Sequence, residues 1–182
     1  MDPATARRAA GLLLMFPVDE AARVVLTVRA ATLEHHSGQV SLPGGAIESG
    51  ESIEHAALRE AHEEIGLAPG EVRMLGSLTP VDVHVSGFRL YPIVGTLSRR
   101  PTLSPAAREV ARVLEVGVGD LMDPRAFAWR TLDKSGMRLH VPTLIIDSRE
   151  NGRDELWGAT AMVIAEFLTL LGWAGPPTSS PF

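Results

Sequence analysis

The chain has 182 residues, 45% of them apolar, and its 22 acidic and 17 basic residues leave a formal net charge of −5. That length and apolar fraction suit one soluble globular domain with a sizeable core. The acidic balance argues against a nucleic-acid groove, which needs a basic face. With no cysteine, disulfides, thiolate catalysis and cysteine-bound zinc are excluded, and a reducing, cytoplasmic setting is expected.

In chain order, Arg7 and Arg8 precede an apolar run over 9–16, a faint likeness to a signal peptide. The run is short, and the turn-like Pro17-Val18-Asp19-Glu20 follows it instead of a small-residue cleavage site. A second apolar run covers 23–29, so the two read as a strand hairpin. No run reaches the ~18 apolar residues of a membrane span. A polar loop at 34–38, a turn at Leu42-Pro43-Gly44-Gly45 and a loop at 48–51 come next. A helix is expected over 53–65, with Ser52 as its N-cap, Glu54 in its first turn and Gly66 at the C′ position. Further strands are expected at 72–78, 88–97 and 139–146. A short helix is expected at 105–113, with Pro105 in its first turn, and an amphipathic helix at 156–171. The chain thus divides into a single domain over 1–174 and a disordered tail over 175–182. Strands and helices mix without a βαβ period, which favours an α+β layered domain.

The helix at 53–65 carries an electrostatic oddity. Glu60, Glu63 and Glu64 fall within one arc of about 100°, near the negative end of the helix dipole. Like charges at this spacing repel. Leu58, Ala61 and Ile65 occupy a neighbouring arc that can face the core. Carboxylates converging in this way suit a hard divalent cation such as Mg²⁺, although a solvated helix face looks the same in isolation.

The flanking residues decide between these readings. Gly45, then Glu51 after five residues, then Arg59-Glu60-Ala61-His62-Glu63-Glu64-Ile65-Gly66-Leu67 after seven more, resemble the Nudix box, G-x5-E-x7-R-E-U-x-E-E-x-G-U with U aliphatic. Every glycine, arginine and glutamate position matches, and Ala61 is the one soft departure. The resemblance implies the Nudix fold, a mixed β-sheet sandwiched between α-helices. It also implies metal-dependent hydrolysis of a diphosphate linked to another moiety. On this chain Glu60, Glu63 and Glu64 would hold Mg²⁺ or Mn²⁺. Glu51 and Arg59 would pair, and Gly44 and Gly45 would bring backbone close to the metal. A glutamate of the 60–64 group would share the work of proton acceptor, and which one is left open.

A second resemblance is narrower. Val25-Leu26-Thr27-Val28-Arg29-Ala30 and, eight residues on, Gly38-Gln39-Val40-Ser41-Leu42-Pro43-Gly44-Gly45 are similar to the extra motif of coenzyme A pyrophosphatases, L-L-T-x-R-S-x3-R-x3-G-x3-F-P-G-G. Leu26, Thr27, Arg29, Gly38, Pro43, Gly44 and Gly45 match. Ala30, Glu34 and Leu42 depart, and Glu34 reverses a charge. Arg29 is then either an anion contact or a strand-end surface arginine. Arg108-Glu109-Val110-Ala111 resembles a later segment of the same enzymes and makes Glu109 a candidate extra metal-site or base glutamate, a salt-bridged surface acid being the other reading. Trp157-Gly158-Ala159-Thr160-Ala161 resembles the start of their last helix. His36, in the polar loop, and Phe88 are further candidate substrate contacts; each also reads as an ordinary loop or core residue. The resemblance implies a small-molecule nucleotide substrate, with no nucleic acid or membrane partner, and is compatible with a homodimer. The leading expectation is cleavage of coenzyme A or its thioesters. Cleavage of another nucleoside diphosphate derivative, or a non-catalytic nucleotide-binding module, are the rivals.

Overall fold

The computed structural model of the protein describes residues 6–30, 38–83, 87–134, 137–148 and 152–175. The chain opens with the expected hairpin, β1 (Arg7–Val18) and β2 (Ala21–Arg29). Asp19 and Glu20 both take positive φ, 46° and 64°, the turn geometry whose twist matches flanking antiparallel strands. The two strands then diverge. β1 pairs with β2 only from Met15 to Val18. Into the gap between them fit β3 (Val40–Ser41), on Thr27 and Val28 of β2, and β4 (Gly44–Ala46), on Ala9 to Gly11 of β1.

The other edge of β1 runs parallel to β7 (Phe88–Thr96). Beyond it, on the far edge of β7, lie β5 (Arg73–Ser77) and β6 (Val81–Val83), both antiparallel. At the opposite end β8 (Val110–Gly117) pairs antiparallel with β2. These eight strands form one mixed sheet. A second, antiparallel sheet has the order β11-β10-β9, from β9 (Phe127–Lys134), β10 (Met137–Ser148) and β11 (Gly152–Leu156).

Helix α1 (Ile53–Ile65) covers one face of the large sheet. Its Ala57, Ala61 and Ile65 pack with Leu12, Leu14 and Phe16 of β1. The other face meets α2 (Val118–Met122), α3 (Gly158–Leu170) and the small sheet. There Leu13, Val24 and Leu26 pack with Ile164, Phe167 and Leu168 of α3 and with Leu144 and Leu156. Adjacent residues of β1 and β2 thus face two different cores. Sheets covered on both faces read as continuous apolar runs. Ala56, Ala57 and Ala61 are all fully buried, so α1 lies close against the sheet.

Three expectations change. Residues 105–113 form a turn and then enter β8, because the turn's backbone serves other elements and Val110 finds the open edge of β2. The last helix begins at Gly158, since Leu156 pairs with Leu144 in β11 and Gly158 has φ +67°. It is also less amphipathic than expected, with Met162 and Leu170 exposed. The strand expected at 139–146 is the centre of a three-stranded sheet whose outer strands were not anticipated. The described tail ends at Gly175, and 176–182 lie outside the described residues.

The two sheets are joined by an ion pair. Arg112 of β8 donates from both terminal nitrogens to Asp154 of β11, at 3.2 and 2.7 Å. Asp154 is 9% exposed. Hydrogen bonds to charged groups contribute about 1.5–3 kcal/mol. Asp154→Asn is expected to cost about 2 kcal/mol and to lower Tm by roughly 4–8 °C. Hydrogen exchange should then quicken in β9–β11 before it does in β1, β2 and β7; uniform exchange would mean that the pair does not hold the small sheet.

Candidate active site

Local chemistry fixes both ends of α1. Ser52 Oγ accepts from the His55 amide at 3.1 Å, and Gly66 turns left-handed with φ 68°. Orphan carbonyls at a helix end need donors. The Gly66 amide bonds to the His62 carbonyl at 2.9 Å. Those of Glu64 and Ile65 receive the amides of Ala106 and Ser104, both at 2.8 Å. The segment expected to be helical therefore closes the end of the acidic helix and carries Glu109 to it. The Glu109 carbonyl in turn accepts from the Ala30 amide at 2.9 Å, just past Arg29.

The two glycines of β4 lie against α1 and β1. The Gly44 amide donates to Glu64 Oε2 at 3.0 Å. A Cβ on Gly44 would collide with the Ala10 carbonyl oxygen and lie 2.7 Å from Gly11 Cα. A Cβ on Gly45 would sit inside the Glu60 carboxylate, 2.7 Å from Oε1. Neither position can carry a side chain without moving what it touches.

Arg59 gathers three of the acids on one guanidinium. Its Nε and Nη2 grip Glu51 at 2.9 and 3.0 Å, and Nη2 also reaches the Ala46 carbonyl at 3.0 Å. Nη1 donates to Glu60 at 2.8 Å and Glu63 at 3.2 Å. Glu51 further accepts from the Glu48 amide at 3.0 Å and faces His55 Nδ1 at 2.9 Å. His55 was not among the expected residues, although its place four positions after Glu51 on the coming helix was a readable signal.

These environments push the carboxyls in opposite directions. The Arg59 hydrogen bonds, then the Glu48 amide, lower Glu51 to about 2, while Arg59 itself is raised. Burial raises Glu60 against the pull of Arg59. Glu64 is 4% exposed, and burial raises it from 4.5 to about 7, with the Gly44 amide and the charge of Arg29 opposing and the charges of Glu60 and Glu109 reinforcing.

The structure thus brings together Gly44, Gly45, Glu51, Arg59, Glu60, Glu64, Arg29 and Glu109. Glu63 lies at the rim, its side chain 55% exposed. Among the described residues no three Asp, Glu or His side chains stand as a ready ligand set, because Glu60 and Glu63 turn to Arg59. Phe88 is half-buried under the Arg7 guanidinium, 4.1 Å from its ring centre. Glu34 and His36 lie outside the described residues. A cavity of about 990 Å³ opens elsewhere, along β8 between Arg23, Asp120 and Ile146, and contains none of these acids.

A mixed sheet between helices, with buried and half-buried carboxylates of one helix set against a glycine pair, defines an α+β domain with an acid-lined site. The chain belongs to the Nudix family: the NUDIX domain model matches residues 5–129. It is similar to a protein described as an uncharacterized Nudix hydrolase NudL from Enterobacter sp. (strain 638), 35% identical over 167 residues, 91% of this chain and 84% of that one. A protein of the same description from Citrobacter koseri is 41% identical over 119 residues, 64% of this chain and 60% of its own. The crystal structure of the Nudix hydrolase RenU from M. smegmatis superposes with TM-score 0.56 at 31% identity, covering 65% of this chain and 74% of that one. The protein is therefore a Nudix pyrophosphohydrolase. Members of the family act on small nucleotide-type molecules and generally use divalent metal ions. Among the described residues no helix is long and apolar enough to cross a membrane.

The Glu64 shift has a testable sign. A raised folded-state value favours the protonated form, so its stabilising effect is full below pH 4.5 and is lost as pH rises through about 7. In metal-free buffer with chelator, Glu64→Gln should melt at an increasingly higher temperature than wild type between pH 4.5 and 7, the gap levelling above that. The full difference is on the order of 2–3 kcal/mol. A gap that stays constant with pH would show Glu64 to be solvated.

Proposed function

We propose that the protein cleaves the diphosphate linkage of coenzyme A or its thioesters, releasing 4′-phosphopantetheine or its acyl form and adenosine 3′,5′-bisphosphate. One observation carries the catalytic part. Glu64 is a buried carboxylate held by the Gly44 amide, and Glu60 lies on Gly45, with the charge of Glu109 acting on both. This surplus of half-buried oxygen donors suits a hard divalent cation. Glu60, Glu63 and Glu64 would hold Mg²⁺ or Mn²⁺, with Glu60 and Glu63 partly released from Arg59. Bound metal supplies charge neutralisation on the diphosphate and a more acidic water.

The chain's own residues do the rest. Glu51 and Arg59 fix the loop at 46–51 to α1. Gly44 and Gly45 let the backbone of β4 lie close to the α1 carboxylates that would hold the metal. Arg29, whose charge is felt at Glu64, orients an anionic oxygen. The proton acceptor is Glu109 or one of the α1 glutamates, which must come within hydrogen-bond reach of the attacking water. The match of Leu26, Thr27, Arg29, Gly38, Pro43, Gly44 and Gly45 to the coenzyme A motif supports the substrate class. Glu34, where that motif has arginine, supports the second reading, a Nudix enzyme for ADP-ribose, NADH or a dinucleotide. The domain reading, one catalytic unit over 1–174, belongs to the same proposal.

Incubation with Mg²⁺ or Mn²⁺ and, separately, coenzyme A, ADP-ribose, NADH and diadenosine polyphosphates, with products identified by mass, tests it. Phosphopantetheine is the expected product. Turnover of another compound with coenzyme A intact would favour the second reading. Nucleotide binding without any product would point to a non-catalytic module. Glu64→Gln should lower turnover by roughly a hundredfold or more while the far-ultraviolet circular dichroism stays unchanged; wild-type rates in that variant would remove its role.

A further inference from the structure

Beside the acids of α1, on the same face of the large sheet, stands a second group of chemically active side chains. Ala10 pairs with Gly45 on one side and with Tyr91 on the other, and Ala10 and Ile93 belong to the core beneath α1. Strand spacing of about 4.8 Å puts the Tyr91 backbone roughly 10 Å from Gly45, on which the Glu60 carboxylate lies. Arg8 is two residues along β1 and pairs with Arg89. The exposed Arg8 guanidinium lies over the half-buried Tyr91 ring, 5.2 Å from its centre. The Ile47 amide bonds to the Arg8 carbonyl at 3.0 Å, tying this corner to the loop that leads from the glycine pair.

Arg89 is imperfectly matched. Its Nε lies 3.8 Å from Asp82 Oδ1, too far for a hydrogen bond. Both atoms are buried without a hydrogen-bond partner, an arrangement that costs free energy unless something completes it. Two arginines against one ill-fitting acid make this corner cationic, next to a site that is acidic. A substrate whose diphosphate lies at the α1 acids extends this far with its next groups. Arg and Tyr faces stack on nucleobases, and guanidinium groups bind phosphate through paired N–H donors.

We propose that Arg8, Tyr91 and Arg89 form a specificity subsite for a nucleobase bearing a phosphate monoester beyond the diphosphate. The proposal rests on the coenzyme A reading and names the end of that substrate the corner takes: the adenine, with the 3′-phosphate on its ribose. The base lies on Tyr91 and Arg8, the phosphate accepts from Arg8 and Arg89, and Asp82 positions Arg89.

Steady-state kinetics with Mg²⁺ on coenzyme A and on 3′-dephospho-coenzyme A tests it. Wild type is expected to prefer coenzyme A by about tenfold or more in kcat/KM, through KM. Arg8→Ala is expected to lose about tenfold on coenzyme A, again in KM, and threefold or less on the dephospho compound. Arg8→Lys should restore part of the difference, and Tyr91→Leu should raise KM for both. Equal losses of Arg8→Ala on the two substrates, or no loss, would overturn the subsite and leave the coenzyme A reading standing. Wild-type protein that cleaves neither compound would overturn that reading and the subsite with it. Thermal melts of each variant separate a folding defect from lost recognition; if Arg8→Ala melts early, Arg89→Lys provides the same comparison between substrates.

Discussion

One guanidinium makes the site possible. Arg59 spreads its donors over both oxygens of Glu51, the Ala46 carbonyl, Glu60 and Glu63. An arginine has five N–H donors in a rigid plane, and a lysine could neither span these partners nor keep their geometry. The contacts have two separate consequences. They tie the loop at 46–51 to the helix that follows it, and they neutralise part of the repulsion among acids that would otherwise destabilise the last turns of α1. The Ser104 and Ala106 amides add neutral donors where the helix dipole is most hostile to carboxylates.

The same constraint reaches into the sheet. β1 and β2 diverge after four paired residues, and the wedge of β3 and β4 fills the opening. Gly44 then presents its amide to Glu64, and Gly45 leaves room for Glu60. This works only if α1 lies low on the sheet. Ala56, Ala57 and Ala61 allow that, all of them fully buried. Ala61 departs from the aliphatic residue of the family pattern, yet a small side chain agrees with the close approach seen here. Fold and site are thus coupled through backbone: a shift of α1 away from the sheet would remove the Gly44 amide from Glu64.

How much of this was legible in the sequence depends on how local the determinant is. The limits of α1 were readable to the residue because Ser52 and Gly66 act on their own helix ends. The gathering of Glu60 and Glu64 follows from helical spacing, whereas the pairing of Glu51 with Arg59 is an expectation of the Nudix likeness alone. The start of β8 was not legible. Pro105 and the residues after it look like a helix start, but what decides their conformation is distant: the carbonyls at the end of α1 and the unpaired edge of β2. The outer strands β9 and β11 were missed for a similar reason. Phe127-Ala128-Trp129-Arg130 and Gly152-Arg153-Asp154-Glu155 carry little alternation of their own, and they are ordered by pairing with β10 and by Leu156 joining the core of α3. Arg29 and Glu109 were suspected from motif likeness alone; that they lie beside the same buried carboxylate follows from the β2–β8 pairing.

The acids around Arg59 illustrate how one constellation can hold charges with different purposes. Glu51 and Glu64 are thirteen positions apart and begin from the same intrinsic acidity, yet hydrogen bonds from Arg59 and a backbone amide push one down to about 2 while burial pushes the other up to about 7. Environments that separate two carboxyls in this way divide them by task. Glu51 is a permanent anion, wholly committed to Arg59 and the loop. Among the described residues Glu64 has a single backbone donor, on one oxygen, and the charges of Glu60 and Glu109 nearby disfavour its ionisation. Its proton is therefore held more tightly than that of Glu51 at any given pH. On the proposal that Glu64 ligates the cation, metal uptake there releases its proton, whereas Glu51 takes no part in either. That asymmetry follows from where the donors lie: Arg59 and the Glu48 amide on Glu51, the Gly44 amide on Glu64.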